Sequence, residues 1–211
     1  GSKSPEAVRG FVLEIADYLV RHKDIKLLVV ACNTASSFAL AALKDALKVP
    51  VIGVIEPGAE AALRVTANKV IGVIGTEGTV ASHAYRDALR RVDNSVEVHE
   101  QACPLFVPLV EEGYWNGDVT SKVAARYLAS LKKSKLDTLI LGCTHYPFLR
   151  STLQKAAGPK VTLVDSGEAT TAKVKDTLEL MRLGRKAGHS VSEFIVSDAP
   201  ERFARLAKRF L

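Results

Sequence analysis

Apolar positions along this chain arrive in two rhythms. Solid runs such as Leu27-Leu28-Val29-Val30, Val51-Ile52-Gly53-Val54, Val70-Ile71-Gly72-Val73-Ile74 and Leu139-Ile140-Leu141 read as strands buried on both faces. Elsewhere the period is helical: Val8, Phe11, Val12, Ile15 and Leu19 follow Ser4-Pro5, an N-cap with proline at the first helical position. The pattern predicts helix 5–22, strand 26–31, helix 34–47 and strand 51–54. A turn at Glu56-Pro57-Gly58 then opens a short Ala-rich helix, followed by strand 69–74, helix 80–91 and strand 96–100. The remainder predicts a helical 104–112 ended by Gly113, a helix from Asp118 to 131, strand 137–141, helix 147–157 and strand 161–164. A long helix from 167 to 183, strand 191–196 and helix 199–210 complete the chain. Strands alternating with helices imply an α/β fold with a mostly parallel sheet covered on both faces.

One stretch carries chemistry. Strand 26–31 runs into Ala31-Cys32-Asn33-Thr34, which places a thiol at the carboxyl end of a strand, where open α/β sheets bind ligands. The same pattern returns at Gly142-Cys143-Thr144-His145. Gly58 follows Cys32 by 26 residues and Gly167 follows Cys143 by 24, each in a turn after the next strand. This internal repeat predicts two similar lobes that face one cleft, each offering a thiol.

Composition adds limits. The chain has 211 residues, 47% hydrophobic and 25% charged, enough for one large α/β domain or two small ones. No apolar run approaches the roughly 18 residues that span a membrane. Cysteines 32, 103 and 143 are odd in number and far apart, which fits reduced cytosolic thiols better than a disulfide scaffold. Much of the +6 net charge lies near the C-terminus, in Arg182, Arg185, Lys186, Arg202, Arg205, Lys208 and Arg209. A solvated helix face explains these better than nucleic-acid contact does, and a small anionic substrate would also gain from the field.

A cysteine just before a helix meets backbone N–H groups and a positive dipole end, both of which favour thiolate. Asn33, Thr34, Thr144 and His145 add short polar groups suited to a carboxylate. A lone strand-end cysteine is ordinarily a buried structural thiol; two matched copies beside polar residues point to function. Two thiols across a cleft can remove a proton from one face of a carbon and return one to the other face, with no cofactor. The obstacle is large, because ten units of pKa mismatch amount to about 14 kcal/mol. A dry, preorganised site has to stabilise the carbanion-like transition state. Zinc held by Cys32, Cys143 and His145 is a weaker reading, since Cys-x-His is not a usual ligand spacing. A Cys143–His145 nucleophile pair is also weak at a separation of two residues.

Ala31-Cys32-Asn33-Thr34-Ala35 and Gly142-Cys143-Thr144-His145-Tyr146-Pro147 resemble the two signature motifs of bacterial glutamate racemases. The blocks 53–58 and 75–82 are also similar to that family's, so the resemblance runs along essentially the whole chain. It implies two three-layer α/β lobes with mostly parallel sheets, related by a pseudo-two-fold axis, with the active site in the cleft between them. Residues 1–55 with 165–211 are expected to form one lobe and 56–164 the other. The implied activity is cofactor-independent racemisation of glutamate, supplying D-glutamate for peptidoglycan in a bacterial cytoplasm. Cys32 acts on one enantiomer's α-proton and Cys143 on the other's. Asn33, Thr34, Thr76, Thr79, Thr144 and His145 hold the substrate, and His145 assists Cys143. Glu112 resembles the family's acidic helper, with Glu111 as the neighbouring alternative. Cys103 matches no catalytic motif and reads as structural, and Tyr114 and Trp115 read as packing residues. A homodimer is the family's common assembly, and no metal, membrane or nucleic acid is implied.

The resemblance also implies an N-terminal strand ending in Asp-Ser-Gly and a later Tyr-Gly, and Gly1 matches that substrate-binding glycine unless Gly1-Ser2 is a tag scar. A βα unit of roughly 30 residues is therefore expected ahead of Gly1, with a carboxylate near Cys32. Without it, the 211 residues are expected to racemise poorly. The competing expectations are a non-catalytic ligand-binding or regulatory protein on the same fold, and an aspartate racemase.

Overall fold

The computed structural model describes residues 3–210 apart from 186, 188 and 190, with Arg209 and Phe210 described by their backbone only. Gly1, expected at the substrate, and Lys186 in the basic tail therefore lie outside the described residues. The chain opens with α1 (Pro5–Lys23), where the Ser4 hydroxyl accepts from the Ala7 N–H at 3.2 Å, as its N-cap identity requires. Then come β1 (Leu28–Val30), α2 (Asn33–Ala46), β2 (Val51–Gly53) and α3 (Ile55–Val65). The middle of the chain forms β3 (Val70–Gly75), α4 (Glu77–Ala81), α5 (Ala84–Val92), β4 (Glu97–Ala102), α6 (Phe106–Glu111) and α7 (Asp118–Leu128). The last part forms β5 (Thr138–Gly142), α8 (Arg150–Ala157), β6 (Thr162–Asp165), α9 (Gly167–Leu180) and α10 (Pro200–Phe210).

Every strand pairing is parallel. β1 pairs with β2, and β4-β3-β5-β6 form a second sheet. Alternation along the central strands splits the second sheet's core in two. Leu139, Leu141 and Ile74 face α6, α7 and α8 through Phe106, Val110, Ala124, Leu128 and Leu153. Ile140, Ile71 and Val73 face α3 and α5 through Ala59, Ala62, Tyr85 and Leu89. That is the three-layer arrangement solid apolar strands require. The first sheet has its own core, in which Val30 and Val51 meet Ala16 of α1 and Ala35 and Leu43 of α2. The repeat is visible as β1-α2-β2-α3 against β5-α8-β6-α9, and α9 packs on α3 and β2.

Four expectations change. The Glu56-Pro57-Gly58 stretch is not a turn but the first turn of α3, a place where proline removes no helical hydrogen bond. Helix 80–91 is two helices, broken where His83 takes a left-handed φ of 54°. Residues 146–149 wind as a 3-10 turn before α8 begins. Residues 191–196 form no strand: no strand among the described residues lies beside them, and period-2 alternation cannot supply the missing hydrogen-bond partner. They run instead as an extended strap past α1, tied by Lys23 Nζ to Glu193 Oε1 at 2.6 Å.

Candidate active site

The sheet order is β4-β3-β5-β6, so the chain leaves the neighbouring strands β3 and β5 in opposite directions at the carboxyl end of the sheet. Such a switch point opens a crevice in α/β folds. Gly75 and Gly142 sit opposite each other there, followed by Thr76 and Cys143. Gly142 is required by close approach: a Cβ would stand 2.7 Å from the Ile74 carbonyl oxygen.

The first sheet delivers its residues to the same place. Cys32 is the N-cap position of α2 and is exposed, while Asn33 and Thr34 behind it are buried. Ser36 locks this turn, donating its hydroxyl to the Val30 carbonyl at 2.9 Å and accepting from the Val54 N–H at 3.3 Å. The Thr34 hydroxyl lies 2.8 Å from that of Thr76 and 3.2 Å from that of Thr79, and the latter two are 3.0 Å apart. Thr76 also caps α4, its oxygen accepting from the Thr79 N–H at 3.2 Å. This triangle of buried hydroxyls joins the two sheets. Tyr85 makes a second junction, donating from its fully buried hydroxyl to Asn33 Oδ1 at 2.7 Å. Burial pushes the Tyr85 phenol well above its usual range and so keeps it a donor. Sequence reasoning missed both Tyr85 and Ser36, because a tyrosine inside an amphipathic helix and a serine after a helix start look like ordinary packing and capping residues.

Cys143 is buried, and burial pushes its thiol up to about 11, with the charge of Cys32 adding to the rise. The backbone N–H groups of His145 and Tyr146 pull the other way but do not win. At this pivot the expected preference for thiolate is therefore reversed, because desolvation outweighs the amides of a short 3-10 turn. The Cys143 Sγ lies 3.8 Å from His145 Nδ1, and His145 Nε2 lies 3.3 Å from Glu111 Oε1. Glu112, expected as the acidic helper, is exposed at the end of α6, where its N–H continues the helix to the Pro108 carbonyl. The geometry puts Glu111 against the histidine. One residue on a helix turns a side chain by about 100°, a difference that motif wording does not resolve.

A cavity of about 410 Å³, within the range of small-molecule sites, is lined by Asn33, Cys143, Thr144, Asp165, Ser166 and Thr170 among others. Cys32, Thr34, Thr76 and Thr79 lie outside its lining, so the expected site residues divide between this cavity and the hydroxyl triangle beside it. Asp165, expected as an N-cap, is instead the last residue of β6: its carboxylate accepts from the Gly167 N–H at 3.0 Å and pairs with Arg150 at 3.3 Å, while Ser166 holds the N-cap position of α9. Cys103 is fully buried and burial raises its thiol far above the usual range, as suits a structural group. Trp115 donates its indole N–H to the Val110 carbonyl at 3.0 Å and its ring lies 5.3 Å from that of Phe148, a packing role. Among the described residues no cluster of His, Cys, Asp or Glu is arranged to hold a metal ion, and no helix is long and apolar enough to cross a membrane.

Residues 1–174 match the family described as Asp/Glu/hydantoin racemase. A glutamate racemase of Geobacter metallireducens is 51% identical over 214 residues, covering 100% of this chain and 78% of that protein. The crystal structure of glutamate racemase isoform RacE1 from Bacillus anthracis superposes with a TM-score of 0.95 at 40% identity, covering 99% of this chain and 78% of that one. A Francisella tularensis glutamate racemase solved with D-glutamate superposes with a TM-score of 0.92 at 30% identity, covering 99% of this chain and 78% of that one.

Proposed function

This chain belongs to the Asp/Glu/hydantoin racemase family, and from that premise we propose that it interconverts L- and D-glutamate with Cys32 and Cys143 as opposed bases. One observation carries the reading: an exposed thiol at the start of α2 and a buried thiol at the end of β5 stand at the carboxyl ends of two sheets that the Thr34, Thr76 and Thr79 hydroxyls and the Tyr85–Asn33 bond join. In one direction the Cys32 thiolate takes the α-proton. The C–H electron pair stays on carbon, conjugated with the carboxylate, and Cys143 gives its proton to the opposite face. Burial keeps Cys143 protonated and so suits it to the acid role. The reverse direction starts from the state this leaves: the Cys143 thiolate takes the α-proton and the Cys32 thiol gives its proton to the other face, while His145, with Glu111 behind it, holds its Nδ1 toward the Cys143 sulfur. No atoms are gained or lost, and each turnover leaves the two thiols with their protonation states exchanged.

Asn33, Thr34, Thr76, Thr79 and Thr144 supply the substrate's carboxylate and ammonium contacts in this scheme. We divide the lobes at residues 1–55 with 165–211 and 56–164; the four-stranded sheet supports the second of these, and the packing of α9 on β2 supports returning the C-terminal part to the first. A cytoplasmic homodimer making D-glutamate for peptidoglycan is the setting we infer from the family. Free thiols at Cys32, Cys103 and Cys143 are consistent with a reducing compartment.

The test is α-proton exchange in heavy water, together with racemisation followed by circular dichroism. It is run on each enantiomer of glutamate and aspartate with the 211-residue chain. Glutamate should racemise and exchange, and Cys32→Ser and Cys143→Ser should each abolish racemisation with the fold intact. Glutamate binding without exchange, or full racemisation by either single variant, overturns the two-base assignment.

A further inference from the structure

The basic C-terminal helix does not simply face solvent. Arg202 on α10 reaches the far side of the molecule's second thiol: its Nη2 lies 3.4 Å from Glu111 Oε2, while the other oxygen of that carboxylate lies 3.3 Å from His145 Nε2. His145 Nδ1 in turn lies 3.8 Å from Cys143 Sγ. Four side chains thus run in series from a surface helix to a buried thiol. α10 faces α1 across an open cavity lined by Phe203 and Leu206 on one side and Ile15, Tyr18 and Leu19 on the other, and Phe203 lies 6.1 Å, ring to ring, from Phe194 of the strap. The strap is tied to α1 through Glu193 and Lys23.

Resting on the racemase reading above, we propose that Arg202 is a positioning residue for Cys143, acting through Glu111 and His145. A carboxylate anchored at one oxygen can still rotate; anchored at both, it presents a fixed acceptor to His145 Nε2–H. With its proton fixed on Nε2, the ring keeps the Nδ1 lone pair for the Cys143 thiol. Glu111 and His145 follow strands of the four-stranded sheet, whereas Arg202 is carried by a helix that faces α1 across an open cavity. The series that ends at one thiol is therefore completed by a residue 91 positions further along the chain from Glu111. The ion pair is partly exposed, with side-chain exposures of 63% for Arg202 and 30% for Glu111, so its effect is modest.

The experiment compares Arg202→Gln, Arg202→Lys, Glu111→Gln and the Arg202→Gln/Glu111→Gln double variant in two readouts. The first is kcat and KM for glutamate racemisation. The second is the rate at which iodoacetamide alkylates Cys143 relative to Cys32, followed by peptide mass spectrometry, which needs no turnover. Arg202→Gln should lower kcat about 3- to 5-fold with KM within about twofold, and slow Cys143 alkylation similarly while leaving Cys32 unaffected. Arg202→Lys should recover most of both. In the Glu111→Gln background the Arg202 change should add nothing. Parent-like values for Arg202→Gln in both readouts, a loss that lysine does not rescue, or an equal loss without Glu111 overturns the positioning role. A chain that never racemises but shows the Cys143-selective slowing refutes the racemase reading and leaves the series of contacts standing; an active chain with a parent-like Arg202→Gln refutes only the latter.

Discussion

Tyr85→Phe isolates one hydroxyl at the junction of the two sheets. The ring remains and keeps its contacts with Gly58 and Gly142, where added Cβ atoms would sit 3.3 Å and 3.2 Å from ring carbons. What disappears is the 2.7 Å donation to Asn33 Oδ1, an acceptor on a side chain that is only 3% exposed. A hydrogen bond exchanged with water contributes about 1 kcal/mol, but an acceptor left buried without a donor costs about 1–3 kcal/mol. The larger figure applies here, because the Asn33 side chain is buried and Tyr85 is the donor to its Oδ1. In a chain of 211 residues, each kcal/mol moves the melting temperature by about 2–4 °C, so a fall of about 2–12 °C is expected. The released Asn33 amide should also raise the glutamate KM about 3- to 10-fold, since the same side chain lines the cavity beside Cys143. Calorimetry and a KM measurement on the same preparation test both. A variant within about 0.5 kcal/mol of the parent with unchanged KM would refute the claim that this bond fixes Asn33.

Two further outcomes follow from the second pivot. Gly142→Ala forces a Cβ to within 2.7 Å of the Ile74 carbonyl, a backbone atom with no rotamer to escape into. It should cost about 1–3 kcal/mol in a chemical-denaturation experiment and displace Cys143 enough to remove most racemisation. Cys143 also makes stability fall in alkali. Its thiol is raised by burial from 9.0 to about 11, so above pH 9 the unfolded chain ionises at this residue while the folded chain does not. Its contribution is fully present below pH 9 and is lost as the pH rises to about 11, a change of about 2–3 kcal/mol. Denaturation of Cys143→Ala should show a correspondingly shallower loss across that interval, and a parallel pH profile would show that the thiol is not desolvated.

The parts legible in the sequence were those written in local patterns. Solid apolar runs marked β1, β2, β3 and β5 to within a few residues, and the repeated strand-Cys-polar pivot brought out both thiols. Long-range partners left no such trace. Whether Glu111 or Glu112 meets His145 depends on the angle at which α6 crosses the 3-10 turn at 146–149, which no spacing within the motif encodes. The hydrogen bond from Tyr85 to Asn33 spans 52 residues and the Arg202–Glu111 pair spans 91, so each joins segments whose own patterns read as ordinary surface or core. The strand expected at 191–196 failed for a related reason: alternation states which residues prefer burial, while a strand also needs a neighbour to share its hydrogen bonds. The electrostatics of Cys143 were misjudged locally as well, since a sequence shows the amides that stabilise a thiolate but not the depth of the site that opposes them.

The triangle of Thr34, Thr76 and Thr79 has one donor hydrogen on each corner and three edges to fill. All edges are satisfied only when the hydroxyls point head to tail around the ring, and there are two senses of circulation. Reversing the sense turns every hydroxyl from donor to acceptor toward a given neighbour while no heavy atom moves. Such a ring is a polar contact without a fixed polarity: it can open toward a carboxylate by aiming a hydrogen outward, or toward an ammonium by offering a lone pair. In the racemisation proposed above, substrate and product are mirror images, so kcat/KM must be equal in the two directions, and a hydroxyl ring that can reverse its polarity is compatible with that demand.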